Sequence, residues 1–282
     1  MNIPARLSMP DPVLDDLDRC SEHVFTSHDG RRISWRMWGE GMPLVLLHGG
    51  SGSWKHWVRQ IGPFAATRRV IAPDLPGFGL SDYPAEPVNF EEMGRDVAAG
   101  LDEVMGGPMT YDIAAFSYGG SITSQLLFVH PGRQRRVALC AAAGFGKPAM
   151  PPMRKVRGLQ GEELVETHRF NLNSIMIADQ DRIDDLALRI QHENTMLSRL
   201  RARDMNRGVN LLDVLPGFSG EVAAFWGECD AFMLARPPTE RGKLLRELRP
   251  DAEVHYLPDT GHWLIYEAAD RVNPLLTGFL NR

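Results

Sequence analysis

Tyr111-Asp112-Ile113-Ala114-Ala115-Phe116-Ser117-Tyr118-Gly119-Gly120 is the most informative stretch of this 282-residue sequence. An apolar run that is typical of a buried strand ends at Ser117, and a more helical run from Ser121 to His130 follows at once. A serine at so sharp a turn from strand to helix has a strained backbone, and its neighbours at positions 115, 119 and 120 must be small. The stretch therefore predicts a hydroxyl held at the end of a sheet and at a helix N-terminus, which suits a nucleophile.

The composition bounds the class of protein. The chain is long enough for one large or two small domains, and its 43% hydrophobic content is ample for a packed core. Its 31 Lys and Arg against 36 Asp and Glu give a net charge of −5, which favours neither nucleic acid nor an anionic membrane as a partner. The three cysteines are too few and too scattered for a disulfide framework or a CxxC metal site.

The N-terminal segment predicts where the protein resides. Residues 1–18 contain prolines and acidic residues, whereas a signal peptide has a basic region followed by an apolar one. No apolar run approaches the roughly 18 residues that a membrane span needs. We expect a cytoplasmic protein with a small-molecule substrate and with no membrane or nucleic-acid partner, and we leave a homodimer open.

Strands and helices alternate along most of the chain. A hairpin is predicted around His28-Asp29-Gly30, because Asp-Gly is a strong turn signal. Continuous apolar runs typical of strands buried on both faces then follow, over 43–47, 69–72, 111–116, 137–142, 222–226 and 254–257. Helical patterns separate them, so we predict an α/β fold with a largely parallel sheet that helices cover on both faces.

This alternation stops between Gly146 and Gly217. That segment has no clear strand, and it contains a long charged helical stretch from Asp181 to about Arg203. We predict a helical cap insertion over 146–217, within a core formed by 1–145 and 218–282. Five methionines in the segment either belong to an ordinary core or line an adaptable apolar pocket: Met150, Met153, Met176, Met196 and Met205.

A nucleophilic Ser117 needs a base and an acid that orients the base. We expect both on loops at the carboxyl end of the sheet, where ligands bind in open α/β folds. His262 follows the last predicted strand, and Asp230 follows the strand before it. We prefer Asp230 to Glu228 as the acid, because later residues of such a turn usually point into the cleft. His48 and Asp74 are expected to organise loops.

The sequence resembles the α/β-hydrolase fold family over roughly residues 22–282, most weakly in the insertion. The resemblance depends on five motifs that follow predicted strands in the right order: Leu47 to Gly50, Asp74 to Ser81, Ser117 to Gly120, Gly227 to Asp230, and Gly261-His262. The order Ser, Asp, His is that of the family's catalytic triad. One departure is Ala115, where the family usually has glycine. The resemblance implies a cofactor-free serine hydrolase with no metal, and excludes the aspartate-dependent dehalogenases and epoxide hydrolases.

The resemblance also implies further site residues. The oxyanion hole would consist of the N–H groups of Gly50 and Tyr118, which would stabilise a developing alkoxide. Substrate contacts are predicted from the residues adjacent to the catalytic positions and from an arginine in the insertion, where similar carbon–carbon hydrolases often carry one: Gly49, Phe116, Arg189 and Trp263.

Three functions remain open from the sequence. We expect first a carboxylic ester hydrolase with a Ser-His-Asp acyl-enzyme mechanism. The alternative is a carbon–carbon bond hydrolase, because Ile61-Gly62-Pro63-Phe64 and His262-Trp263 are similar to the meta-cleavage-product hydrolases. Those enzymes usually have asparagine where Phe116 stands. The third hypothesis is a non-catalytic, hydrolase-like ligand-binding protein.

Overall fold

The computed structural model describes residues 3–145, 151–200, 208–233 and 237–282. Its sheet has eight strands: β1 (Glu22–His28), β2 (Arg31–Trp38), β3 (Pro43–Leu47), β4 (Arg69–Pro73), β5 (Tyr111–Phe116), β6 (Gln134–Cys140), β7 (Glu221–Gly227) and β8 (Glu253–Leu257). They lie in the order β1-β2-β4-β3-β5-β6-β7-β8. The first two pairings are antiparallel and all others are parallel. The predicted α/β-hydrolase fold is thereby confirmed.

The central strands owe their position to their apolar sequences. Every residue of β3 and β5 is buried, as their continuous apolar runs predict, whereas β1 at the edge is mostly exposed. Leu47 pairs with Ala115, and Phe116 pairs with Cys140. The carboxyl ends of these neighbouring strands therefore end together, and the loops that follow them meet at one edge of the sheet.

Eleven α-helices lie within the described residues: α1 (Ala5–Ser8), α2 (Pro12–Cys20), α3 (Val58–Ala65), α4 (Phe90–Val104), α5 (Gly119–Val129), α6 (Gly161–Ile175), α7 (Asp185–Leu197), α8 (Leu211–Val214), α9 (Pro238–Leu248), α10 (Leu264–Glu267) and α11 (Ala269–Leu280). None of them is long and apolar enough to cross a membrane. The chain ends in two helices, α10 and α11, because the backbone of Ala268 between them leaves the helical region with φ −125°.

The segment between β6 and β7 contributes α6, α7 and α8, and its described parts, 151–200 and 208–217, contain no strand. The charged stretch is helical over a shorter range than predicted. It begins after Asp184, whose carboxylate caps the helix by accepting the Ala187 N–H at 2.8 Å. It ends at Leu197, and the predicted end near Arg203 lies outside the described residues.

The methionines of the insertion do not share one environment. Met176 is buried, whereas Met153 and Met196 are 56% and 62% exposed. Met150 and Met205 lie outside the described residues. A methionine-lined pocket therefore has no support from Met153 or Met196.

Candidate active site

Ser117 lies in the turn between β5 and α5, with φ at +50°. Its N–H donates to the Cys140 carbonyl at 3.1 Å, and its own carbonyl accepts the N–H of Ala143 at 2.8 Å. A Cβ at Gly119 would lie 2.5 Å from the Leu47 oxygen, and one at Gly120 would lie 2.6 Å from the Ala143 oxygen. Only glycine fits at both positions, so the sequence fixes the strained turn that presents the serine.

The structure brings His262 and Asp230 to Ser117. The Nε2 atom of His262 lies 2.8 Å from the Ser117 Oγ, and its Nδ1 lies 2.6 Å from the Asp230 Oδ2. Asp230 is buried, and its other oxygen accepts the N–H of Phe232 at 2.9 Å. Glu228 is exposed. Because the carboxylate holds the Nδ1 proton, Nε2 is left free to accept the serine proton.

Apolar rings surround the imidazole. The rings of Phe116 and Phe232 lie 5.1 and 4.6 Å from the His262 ring. His262 itself is 4% exposed. A hydrogen bond between Ser117 and His262 in such surroundings competes with little water, and it is therefore stronger than an exposed one.

Gly50 and Tyr118 lie beside each other next to Ser117. A Cβ built on Gly50 would lie 3.8 Å from the Tyr118 Cβ. Within the residues that the structure describes, neither N–H donates to a protein acceptor. Two backbone donors are thus available next to Ser117, as an oxyanion hole requires.

Two buried histidines shape the loop that carries Gly50. The Nε2 of His48 accepts the Leu75 N–H at 2.8 Å, so its Nδ1 carries the proton and donates to the Gly49 carbonyl at 2.7 Å. The Gly49 N–H in turn donates to the Nδ1 of His56 at 3.2 Å. Burial lowers the pKa of His48 to about 4 and that of His56 well below its ordinary value. Both rings are therefore neutral supports of the loop rather than bases.

Asp74 joins this loop to the next one. One carboxylate oxygen accepts the Trp54 N–H at 3.2 Å, and the other accepts the Leu80 N–H at 3.0 Å. Burial raises the pKa of the Asp74 carboxyl, and the two backbone donors oppose that change. Asp74 thus organises the loops, in agreement with the expectation from sequence.

Three of the predicted substrate contacts are packed inside the protein. The side chains of Phe116 and Trp263 are 1% and 0% exposed, and the Trp263 Nε1 donates to the His56 carbonyl at 3.0 Å. Gly49 is buried against the Phe116 ring. These three residues pack beneath the site, because adjacency to a catalytic residue in sequence does not turn a side chain toward the cleft.

The guanidinium of Arg189 also has partners within the protein. Its Nη2 lies 2.7 Å from an Asp15 carboxylate oxygen, its Nε lies 2.9 Å from Glu193, and its Nη1 donates to the Met9 carbonyl at 3.2 Å. Its guanidinium therefore holds the N-terminal segment against α7 rather than a substrate. Burial lowers the pKa of this arginine, but the two carboxylates outweigh burial and hold it above its ordinary value.

The sequence analysis missed three polar residues of the insertion. His168 on α6 and His192 on α7 are buried together, with 3.1 Å between Nε2 and Nδ1. Asn194 is buried as well, and its Oδ1 accepts the Ser53 hydroxyl at 2.6 Å. The Nδ1 of His168 and the Nδ2 of Asn194 have no hydrogen-bond partner among the residues that the structure describes. The helical pattern of the sequence could not reveal them, because it predicts that polar residues such as histidine and asparagine lie on the exposed face.

The described residues contain no group of three or more His, Cys, Asp or Glu side chains that could hold a metal ion.

Known proteins are similar to this chain over most of its length. Residues 44–275 match the model of the alpha/beta hydrolase family. A 2-hydroxy-6-oxo-6-phenylhexa-2,4-dienoate hydrolase of Burkholderia cepacia is 31% identical, over 86% of this chain and 88% of that protein. A 2-hydroxymuconate semialdehyde hydrolase of Pseudomonas sp. (strain CF600) is 29% identical over the same shares of the two chains.

Solved structures show the same fold. The esterase RhEst1 from Rhodococcus sp. ECU1013 superposes with a TM-score of 0.75 at 22% identity, covering 93% of this chain and 98% of that one. At that identity the likeness concerns the fold alone. Together with the family match over most of the sequence, it leads to one conclusion: this chain is a member of the alpha/beta hydrolase family.

Proposed function

We propose that this hydrolase uses Ser117 as its nucleophile and cleaves a carbon–carbon bond next to a ketone in a dienoate substrate. The observation that carries the nucleophilic mechanism is the hydrogen-bonded series from Ser117 through His262 to Asp230, at 2.8 and 2.6 Å. An inert binding protein would have no need of this buried arrangement, and the third hypothesis from sequence therefore has less support.

The steps follow from the geometry. The Ser117 Oγ attacks the carbonyl carbon while His262 accepts the hydroxyl proton, and Asp230 stabilises the imidazolium that forms. The oxyanion accepts hydrogen bonds from the N–H groups of Gly50 and Tyr118, and each of these bonds lowers the barrier by about 3 kcal/mol. His262 then gives its proton to the leaving fragment. It next activates a water that hydrolyses the acyl-enzyme and releases Ser117.

The names of the relatives support the choice of bond. The 6-oxo-6-phenylhexa-2,4-dienoate in the name of the Burkholderia cepacia relative has a ketone, an enol and a carboxylate, but no ester or amide. Its hydrolysis must therefore break a carbon–carbon bond at the ketone. The 2-enol must first ketonise, with its proton transferred to C5. The electron pair of the C5–C6 bond can then delocalise over the resulting 2-oxo-3-enoate, which makes the carbon fragment a tolerable leaving group. The expectation of an ester substrate was placed first from sequence, and the relatives favour the alternative.

We also propose that residues 146–217 act as a cap over a core of 1–145 and 218–282. Support comes from contacts between this insertion and the loops of the site. Asn194 accepts the Ser53 hydroxyl, Ser198 lies 3.1 Å from Ser51, and the Met176 carbonyl accepts the Trp263 N–H at 2.7 Å. An insertion attached to these loops is well placed to select substrates.

Ester hydrolysis is the second candidate, and two observations favour it. Phe116 stands where the similar carbon–carbon hydrolases usually have asparagine, and its ring is buried. Arg189, which could have bound a dienoate carboxylate, is paired with Asp15 and Glu193 instead. The same nucleophile and oxyanion hole would serve an ester equally well.

The two candidates differ in a direct assay. We expect kcat/KM for a 6-oxo-2,4-dienoate ring-cleavage product to exceed that for a matched phenyl or short-chain acyl ester by at least about 10-fold, which is about 1.4 kcal/mol of transition-state discrimination. Ser117→Ala is the control, and it should abolish both activities. Turnover of the ester with none of the dienoate would establish the second candidate instead.

A further inference from the structure

A buried carboxylate outside the triad contacts the loop of the catalytic base. Glu267 lies at the end of α10, five residues after His262, and is 1% exposed. We propose that Glu267 is a positioning residue for His262 and that it links the place of the imidazole to the insertion. The inference rests on the proposed function, because it assigns His262 as the base.

The backbone on both sides of His262 is held by hydrogen bonds. The Gly261 N–H donates to the Oε2 of Glu267 at 2.6 Å. The Trp263 N–H donates to the Met176 carbonyl at 2.7 Å. Because the residues before and after His262 are both hydrogen-bonded, the backbone that carries the imidazole cannot shift relative to Ser117 without breaking one of these bonds.

The second oxygen of Glu267 reaches the insertion. Its Oε1 accepts the Asp179 N–H at 2.8 Å, and Asp179 lies just beyond the end of α6. Arg182, three residues further on, donates to the Glu267 backbone carbonyl. One carboxylate therefore joins the loop of the base to the segment in which α6 ends.

The two segments approach so closely that no side chain fits between them. A Cβ on Gly261 would lie 2.7 Å from the Ala178 nitrogen, 2.9 Å from the Met176 oxygen and 3.0 Å from the Glu267 Oε2. The backbone of the base loop thus packs directly on the backbone of the insertion, and a displacement of one moves the other.

A carboxylate is the group that this geometry requires. Both of its oxygens accept a backbone N–H, whereas an amide in the same place offers one acceptor and directs its NH₂ at a second donor. Glu267→Gln therefore keeps the shape of the side chain and disrupts one of the two links. Since catalysis is sensitive to misplacement by a fraction of an ångström, we expect the effect in kcat rather than in KM.

The test compares Glu267→Gln with Asp96→Asn. Asp96 is a buried carboxylate of similar exposure that binds His28 and Arg31, far along the chain from the triad loops. We measure kcat and KM on the substrate that the wild type turns over. Each kcat is divided by the fraction of Ser117 that a fluorophosphonate labels. We expect Glu267→Gln to lower kcat and the labelling rate by at least about 10-fold, with KM within about twofold. Asp96→Asn should lower the melting temperature and leave kcat, KM and the labelling rate unchanged.

A second pair of variants covers the case in which Glu267→Gln does not fold. Asp179→Pro removes the N–H that reaches Glu267, whereas Asp179→Ala keeps it and removes only the side chain. We expect kcat per labelled site to be about threefold to tenfold lower in the proline variant than in the alanine variant, as the loss of one hydrogen bond implies.

Two results are distinguishable. The inference alone is overturned if the wild type is labelled and turns over substrate but Glu267→Gln is equally fast per labelled site. Equal rates in the two Asp179 variants would overturn it in the same way. A wild type that neither labels nor hydrolyses any substrate would overturn the proposed function, and the inference with it.

Discussion

The triad and the described part of the insertion differ in how their buried polar atoms are paired. In the loops, the functional atoms of Ser117, His262 and Asp230 are hydrogen-bonded to one another at 2.6–2.8 Å. In the insertion, the Nδ1 of His168 and the Nδ2 of Asn194 are buried and have no hydrogen-bond partner among the described residues, as is also true of some core atoms such as the Oε1 of Gln60. An unpaired buried polar group destabilises a fold by about 1–3 kcal/mol, so its presence requires an explanation other than stability.

This difference indicates that the catalytic loops and the insertion have different roles. The sheet fixes the catalytic loops, since each of them directly follows a parallel strand. The insertion is attached at a few points, among them Asn194 to Ser53 and Met176 to Trp263, and keeps hydrogen-bonding capacity unused. In the proposed mechanism the catalytic groups therefore lie on loops that parallel strands hold in place, and we expect the insertion to contribute to the selection of the substrate.

The largest effect should come from the acid. Asp230→Asn should lower kcat by about 10⁴-fold, because the amide no longer holds the productive tautomer of His262. Glu228→Gln is the matched control and should change kcat by less than about twofold, since Glu228 is exposed. Steady-state kinetics on both variants decide the assignment, and the reverse ranking would move the acid to Glu228.

A second prediction concerns stability at acid pH. Burial lowers the pKa of His48 in the core and of His168 in the insertion, each to about 4 from an ordinary value of 6.5. The unfolded chain binds these protons first, so their contribution is fully present above about pH 6.5 and is lost as the pH falls toward 4, at about 1.4 kcal/mol per pH unit for each histidine.

Urea unfolding between pH 7 and pH 4 checks this. His48→Asn and His168→Asn should each reduce the slope of the free energy of unfolding against pH by about one proton. If core and insertion unfold together, both variants change the same transition. A separate early transition that responds only to His168→Asn would instead show that the insertion opens on its own.

The smallest effect should come from Arg189. Arg189→Ala should lower stability by about 1 kcal/mol, because the side chain of its partner Asp15 is 42% exposed and solvent partly screens the ion pair. Activity should stay within about twofold of the wild type. Asp15→Asn should have a similar effect, and the double variant should be less destabilised than the sum of the two.

This pair of variants also tests the correction made above. If Arg189→Ala abolished turnover of the dienoate while Asp15→Asn left it intact, the arginine would bind the substrate carboxylate, as the sequence first suggested. Circular dichroism melting curves and kcat/KM on the same preparations are sufficient.

The sequence predicted the core well for a physical reason. Continuous apolar runs mark strands buried on both faces, and β3 spans Pro43–Leu47 as expected. The loops after the parallel strands must meet at one edge, so Ser117, Asp230 and His262 could be placed without a structure. These predictions depend only on local patterns and on the rules of sheet topology.

The rest depends on contacts that no local pattern encodes. Arg189 pairs with Asp15 across 174 positions, and the carboxylate of Glu267 accepts the N–H of Asp179 from another segment. Burial of Phe116 and Trp263 is likewise a tertiary property. The choice between ester and carbon–carbon bond was open for the same reason, because both reactions use the same triad and differ in contacts from the insertion.

The most direct test of the account is covalent labelling of Ser117. The protein is treated with a fluorophosphonate, and its intact mass and proteolytic peptides are measured. We predict a single adduct per chain on the peptide that contains Ser117, no adduct in Ser117→Ala, and much slower labelling in Asp230→Asn. An unlabelled Ser117 in a preparation that hydrolyses its substrate, or an adduct on a different serine, would contradict the assignment of Ser117 as the nucleophile.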